Sequence, residues 1–395
     1  MANLSLQEQL KIIKRGVVEI ISEKELTDKL EISIKSKKPL KVKAGFDPTA
    51  PDIHLGHTVL LRKMRQFQEL GHEVIFLIGD FTGRIGDPSG RSEARKQLSE
   101  EEVTKNALTY KKQVSKILDL DKLRIVFNSE WFAKMKGLEF GSLLTHYTAT
   151  RLLERDDFSL RMKQHKPLYM SELVYPILQG YDSVVLNADI ELGGTDQKFN
   201  LLVGRNLQQD FGQSQQVVLT MPLLEGTDGV QKMSKAFGNY IGINEPAADI
   251  FGKVMSISDT LMMKYYELLT DEDLSLVKKM HPKEAKLKLA GLIVSQYYNK
   301  DEAEKAGRNF EQVFSQKEAP QDIPEYRIGN KGAAIIDILI DSGLVASKNE
   351  ARRLVAQGGV SLDEKRILKE GAIVDTAGIL KVGKRRFLKL IQGRF

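Results

Sequence analysis

Apolar residues recur at helical spacing through residues 4–30 (Leu6, Leu10, Ile13, Val17, Ile20, Ile21), which predicts one leading helix. Residues 41–46 read as a short strand ending at the Asp47-Pro48 turn. Leu60, Leu61, Met64, Phe67 and Leu70 give a helix over 57–70 that Gly71 closes. The unbroken apolar run 74–78 is the pattern of a strand buried on both faces. Strand–helix–strand alternation of this kind builds a parallel α/β sheet, and further strands are predicted at 124–127 and near 184–186. From about 245 to 314 strand signals cease, and helical stretches take over at 259–269, 271–280, 284–299 and 301–314. Residues 316–330 carry Pro320, Pro324 and Gly329 with little apolar content and read as a linker. Two short helices, 333–344 and 348–357, follow it, and then short strands with glycine-centred turns.

A chain of 395 residues exceeds what one core usually serves, so two or three domains are expected. With 42% hydrophobic and 28% charged residues it has the composition of a globular protein. No apolar run approaches the roughly 18–20 residues that span a bilayer. The start Met1-Ala2-Asn3-Leu4 lacks the layout of a signal peptide. A cytoplasmic protein without membrane association is the expectation. The absence of cysteine excludes disulfides, thiolate zinc sites and a cysteine nucleophile. Charge is unevenly placed. Residues 331–395 hold 13 Lys+Arg against 7 Asp+Glu, which accounts for the whole net charge of +6. A basic tail behind a neutral body suits a polyanion.

Two short segments carry candidate chemistry. His54-Leu55-Gly56-His57 places two imidazoles at i, i+3 where a helix begins, and such an end attracts phosphate through free N–H groups and the dipole. Gly56 lets phosphate or ribose approach the backbone. Far downstream, Lys232-Met233-Ser234-Lys235 lies between Gly229 and Gly238, as a mobile basic loop would, and its ammonium groups can neutralise a departing pyrophosphate. Alone, the first segment is more often helix furniture and the second a solvated face; together they point to a nucleoside triphosphate. In Gly193-Gly194-Thr195-Asp196-Gln197, the glycines permit close approach to a nucleoside and Asp196 can accept from ribose hydroxyls, although a plain turn has the same composition. Tyr175, Gln179 and Asp182 form an i, i+4, i+7 row on one helix face, a polar stripe in an apolar segment. Asp87, in Gly86-Asp87-Pro88, reads equally as a turn residue.

Gly45-Phe46-Asp47-Pro48-Thr49-Ala50 followed by the histidine and lysine segments resembles the class I aminoacyl-tRNA synthetases, and within them the bacterial tyrosyl-tRNA synthetases. The resemblance spans nearly the whole chain. It implies an α/β, Rossmann-like parallel-sheet catalytic domain over 1–228. A mobile lysine loop and an α-helical anticodon-binding domain would follow over 229–318, then a linker over 319–332. A small α+β RNA-binding domain, like one in a ribosomal small-subunit protein, would occupy 333–395. It implies ATP-dependent activation of L-tyrosine and transfer to tRNA(Tyr), in a homodimer, with Mg²⁺ entering on ATP and no metal bound by the protein itself. Thr49, His54 and His57 would meet the ATP phosphates, and Lys232 and Lys235 would close on them. Gly45, Asp47, Gly56, Gly194 and Asp196 would flank the nucleotide. Asp87, Tyr175, Gln179 and Gln197 would hold tyrosine, with Asp182 on its phenol. Lys348, Arg352, Arg353, Lys384, Arg385 and Arg386 would face the tRNA. The sequence departs from the family pattern at Lys43 (commonly tyrosine), Glu191 (commonly glutamine) and Ala236 (commonly Ser or Thr).

Other readings remain at this point. The tryptophan enzyme shares the fold, but the Gly-Phe-Asp-Pro-Thr run and the Tyr175–Asp182 row count against it. A small nucleotidyltransferase would use the histidines without the lysine loop or the basic tail. A catalytically dead RNA-binding paralogue would have lost His54, His57 or the lysines.

Overall fold

The computed structural model describes residues 4–48, 52–89, 98–315, 323–329, 332–345, 347–363, 365–383 and 386–392. Thr49, Lys384 and Arg385 therefore lie outside the described residues. The chain divides into two compact units, Met1–Ala303 and Glu304–Phe395.

The first unit is built on a six-stranded sheet. Its strands are β1 (Glu19–Ile21), β2 (Lys41–Phe46), β3 (Glu73–Ile78), β4 (Leu123–Phe127), β5 (Ile190–Gly194) and β6 (Val217–Met221), in the order β1-β6-β5-β2-β3-β4. All neighbours pair in parallel except β1, which runs antiparallel along the edge at β6. Val74 through Ile78 are almost wholly buried, as a strand covered on both faces must be. Strand order reverses between β5 and β2, and ligands of open parallel sheets bind outside the carboxyl ends at such a switch. Gly45–Asp47 and Gly193–Gly194 stand at that place.

The predicted leading helix is instead two, α1 (Leu6–Lys14) and α2 (Glu23–Ser36), with β1 between them. Gly16 breaks the run with φ +69°, and a Cβ there would stand 2.9 Å from Leu268. Ser22 then starts α2 with a reciprocal capping box to Glu25. The helix α3 (Leu55–Glu69) follows β2 and crosses to β3 as expected. The strand predicted near 184–186 is wrong: those residues are the last turn of α4 (Met170–Leu186), and the strand begins at Ile190. A short apolar run on a helix buried against a sheet has no period that separates it from a buried strand. Helix α5 (Lys198–Asp210) packs closely on α4, because Gly180 meets Gly204: a Cβ on Gly180 would lie 2.9 Å from the Gly204 nitrogen.

Helices Ala247–Met255, Asp259–Leu269, Pro282–Tyr297 and Lys300–Ser315 fill the expected helical region, whereas the stretch expected at 271–280 holds only Leu274–Val277. The Arg15 guanidinium closes one of these helices, donating to the carbonyls of Tyr266, Thr270 and Glu272.

The second unit holds β7 (Glu325–Ile328), β8 (Ala333–Ala334), β9 (Val360–Leu362), β10 (Lys365–Arg366), β11 (Ile373–Val374), β12 (Gly378–Val382) and β13 (Arg386–Gln392). The five-stranded sheet runs β10-β9-β12-β13-β7, and β11 pairs with β8. Helices α6 (Ile335–Asp341) and α7 (Lys348–Ala356) pack on it through Ile335, Ile338, Leu339, Ala351 and Val355. Strand β7 falls inside the stretch read as linker. It pairs in parallel with β13, burying Ile328, so four residues of that stretch belong to the sheet.

Candidate active site

The carboxyl ends of β2 and β5 open into a cleft of about 540 Å³. It gathers almost every candidate from distant parts of the first unit: Gly45, Asp47, His54, Gly56, His57, Asp87, Tyr175, Gln179, Asp182, Gly194, Asp196, Gln197, Lys232 and Lys235.

At one end, α3 begins at the histidine pair. The His54 and His57 rings stack with centroids 3.9 Å apart. The His54 backbone N–H donates to His57 Nδ1 at 3.2 Å, so a neutral His57 carries its proton on Nε2. Burial pulls the His57 imidazole down to about 4, with Lys235 adding to the effect. His54 falls to about 3, through burial first and then His57 and Lys235. Both rings are neutral at pH 7. His54 Nδ1 is buried without a hydrogen-bond partner among the described residues. Gly56 makes room for the His54 ring itself: a Cβ there would lie 3.0 Å from two of its atoms.

The chain just after the lysine loop is tied to this helix start by backbone bonds. Leu55 N–H donates to Ile241 and Ile243 N–H to Ile53, and Met233 is buried near Gly56. Gly229 and Gly238 take positive φ. Asn239 secures the loop from within. Its Oδ1 accepts from Ser234 N–H, and its amide donates to Asp228. Ser234 Oγ accepts from Ala236 N–H, so the loop keeps a hydroxyl cap despite the departure at Ala236. Lys235 Nζ lies 2.6 Å from Asp52 and Lys232 Nζ 3.7 Å from Asp196, so each ammonium rests on a carboxylate of the cleft. Burial raises the Asp196 carboxyl, and Lys232 works against that rise. A Cβ on Gly194 would meet Asp196 Oδ1 at 2.5 Å, so a side chain there would displace that carboxylate.

At the other end, Tyr175, Gln179 and Asp182 project from α4. Tyr175 donates to Asp47 Oδ2 at 2.8 Å, and Thr82 donates to Asp47 Oδ1 at 2.8 Å. A Cβ on Gly79 would strike Asp47 Oδ1 and Thr82 Oγ1, so a side chain there would displace that hydrogen-bonded pair. Burial and then the Asp47 and Asp87 charges hold the Tyr175 phenol well above its ordinary value. Asp87 accepts from Gln197 at 2.7 Å, and Asn200 donates to both Gln197 and Gln179. Asp182 is 2% exposed and accepts from Trp131 Nε1 at 3.0 Å and Asn128 Nδ2 at 3.4 Å. Burial pushes its carboxyl up to about 7. Lys43 and Glu191, two departures from the family pattern, form a buried ion pair at 2.9 Å.

Sequence reasoning missed Thr82, Asn128, Trp131 and Asn200. Thr82, Asn128 and Asn200 are common residues in unremarkable contexts, and only Trp131, the sole tryptophan, gave any hint. Among the described residues no group of three or more His, Cys, Asp or Glu could hold a metal. None of their helices is long and apolar enough to cross a membrane.

In the second unit Lys348, Arg352 and Arg353 are exposed on α7, with Arg352 3.6 Å from Glu370. Arg386 turns back onto this helix, pairing with Glu350 at 3.3 Å and donating to the Leu344 carbonyl.

Residues 35–315 match the family profile described as tRNA synthetases class I (W and Y), and residues 315–388 match the tyrosine–tRNA ligase SYY-like C-terminal domain. The chain is 56% identical over 400 residues to a tyrosine–tRNA ligase of Syntrophotalea carbinolica, covering 98% of each. It is 50% identical over 393 residues to that of Aquifex aeolicus, covering 98% and 99%. The fold is similar to a tyrosyl-tRNA synthetase of Archaeoglobus fulgidus complexed with L-tyrosine (TM-score 0.62, 23% identity, 77% of this chain and 100% of that one). A C-terminally truncated mitochondrial tyrosyl-tRNA synthetase of Aspergillus nidulans gives TM-score 0.65 at 22% identity, covering 78% and 94%.

Proposed function

The chain belongs to the class I tRNA synthetases, among the tyrosine–tRNA ligases, and from that premise we propose how its residues activate tyrosine and charge tRNA. The enzyme joins the carboxylate of L-tyrosine to the α-phosphate of ATP, expels pyrophosphate, and transfers tyrosine to the 3′ end of tRNA(Tyr). No covalent enzyme intermediate is needed, so the protein positions substrates and stabilises charge. The observation that carries the reading is one cleft with two ends: neutral, proton-donating imidazoles and lysines at one, a buried carboxylate at the other.

Tyrosine lies along α4, its ammonium group among Asp87, Tyr175, Gln179 and Gln197 and its phenol on Asp182. The nucleotide crosses the ends of β2 and β5, with Gly45, Asp47, Gly56 and Gly194 against it and its ribose on Asp196. The His57 Nε2–H and the His54 ring meet phosphate as charge develops. Lys232 and Lys235 exchange Asp196 and Asp52 for the departing pyrophosphate. Thr49 joins them by the resemblance alone. Mg²⁺ would arrive with ATP and take its ligands from the phosphates. Phenylalanine is rejected because it leaves the buried Asp182 carboxylate one hydrogen bond short, tyrosine against phenylalanine being the standard instance of that rule.

Lys348, Arg352 and Arg353 contact the tRNA backbone, Lys384, Arg385 and Arg386 join them by the resemblance alone, and the helices after residue 245 serve anticodon recognition. The working enzyme is a cytoplasmic homodimer. Exposed Leu138, Tyr169 and Met170 supply apolar surface for the partner copy, which light scattering of the purified protein would detect. Pyrophosphate exchange into ATP, measured with each amino acid in turn, tests the function. Tyrosine alone should support it, and exchange driven by tryptophan or by none would refute the reading.

A further inference from the structure

Strands β2 and β5 lie side by side in parallel, and their register sets Lys43 opposite Glu191. Neither side chain reaches solvent, at 0% and 1% exposure. The Lys43 ammonium also donates to Ser183 Oγ at 2.8 Å and to the Gln179 carbonyl at 3.4 Å. Ser183 in turn donates to Glu191 Oε2 at 2.9 Å, where Gln216 donates as well. Neither charged residue lines the cleft. The pair instead grips the back of the helical turn that presents Asp182, since Ser183 follows it directly and Gln179 lies one turn before. A buried ion pair is often no more stable than apolar residues of the same volume, so stability alone does not account for it.

We propose that Lys43 and Glu191 are a positioning pair that fixes the charge state of Asp182, and thereby the enzyme's preference for a hydroxyl-bearing ring over a bare one. The inference rests on the reading of Asp182 as the phenol acceptor. An ionised carboxylate buried without a hydroxyl partner penalises phenylalanine more than a neutral acid does. The groups that act on the Asp182 carboxyl are the charges of Lys43 from β2 and Glu191 from β5, with Tyr175 interacting with it on its own helix, and the non-titrating donors Asn128 and Trp131 after β4. Burial drives the carboxyl up to about 7; Lys43 is the foremost influence opposing this, and Glu191 adds to the rise.

The two partners should therefore act with opposite sign. The test measures adenylate formation with tyrosine and with phenylalanine between about pH 5.5 and 8.5, in the intact enzyme and in Lys43→Met, Glu191→Gln and Asp182→Asn. The preference for tyrosine should weaken in the wild type as pH falls through neutrality. Lys43→Met should move that midpoint up by roughly one pH unit, and Glu191→Gln should move it down by a similar amount. Midpoints that stay in place or move together, or a wild-type ratio flat with pH, overturn the inference. Should Lys43→Met fail to fold, Glu191→Gln decides alone, because it keeps the side-chain volume and the Ser183 and Gln216 bonds. Asp182→Asn separates the two layers. If it retains full preference for tyrosine, the phenol assignment fails. If it loses the preference while the charge variants leave the midpoint alone, only the role of Lys43 and Glu191 fails.

Discussion

Replacing His57 by alanine removes one neutral donor from the phosphate end of the cleft. The ring's Nδ1 is committed to the His54 backbone N–H, which leaves Nε2–H as the group free to act. Loss of one preorganised donor aimed at developing charge costs roughly 10²–10³ in rate, or about 2.7–4 kcal/mol. The freed His54 N–H adds ~1 kcal/mol, which appears in unfolding and not in tyrosine affinity. Single-turnover formation of tyrosyl-adenylate measures the first effect. Quenching of Trp131, the sole tryptophan and a partner of Asp182, reports tyrosine binding, which should stay within about twofold of wild type because the lost donor acts on phosphate in the transition state. The imidazole is neutral down to about pH 4, so the ratio of wild-type to mutant rate should be constant between pH 8 and 5. An unchanged activation rate would refute the assignment. A ratio that grows as pH falls through about 6.5 would show an imidazolium acting instead.

Other outcomes follow from the same geometry. Lys235→Ala should slow activation by roughly 10²-fold while leaving transfer from preformed adenylate intact, since pyrophosphate departs only in the first step; equal loss in both steps would make the lysine structural. A chain ending at Ser315 should form adenylate but charge tRNA poorly, and the intact enzyme's tRNA affinity should fall more steeply with salt; normal charging by the truncated form would remove the tail from tRNA recognition. Ending near Gly329 is a worse test, because β7 would be left without β13. Glu172 is buried against Arg161 at 2.6 Å at the start of α4. Burial alone would raise its carboxyl, but Arg161 outweighs that and holds it below the ordinary carboxylate range. The stability it supplies is therefore present above about pH 4.3 and lost as pH falls below that. Glu172→Gln should lower the urea midpoint at pH 7 by an amount that shrinks as pH falls below about 4.3; a deficit that does not change with pH would contradict the pair.

Much of the first half was legible because its signals are local. The strand at 41–46, the helix after it and the strand at 74–78 each announce themselves within one element, and the histidine pair and the 175–182 row need only helical spacing. The failures came where neighbours decide. Residues 184–186 are apolar because α4 is buried against the sheet, which a strand would be too. Residues 19–21 carry a helical rhythm, yet Gly16 and the open edge of β6 make them a strand. Asn128, Trp131 and Asn200 reach the candidate residues Asp182, Gln179 and Gln197 only because three segments converge. The ion pair of Lys43 and Glu191 depends on a parallel register that no single segment encodes.

The most direct test of the account is a crystal structure with a non-hydrolysable tyrosyl-adenylate analogue. The account predicts the phenolic oxygen about 2.6–3.2 Å from the Asp182 carboxylate and the ribose on Asp196, with the phosphate mimic beside His57 Nε2. A phenol lodged away from Asp182, or a nucleotide that does not cross the ends of β2 and β5, would contradict it.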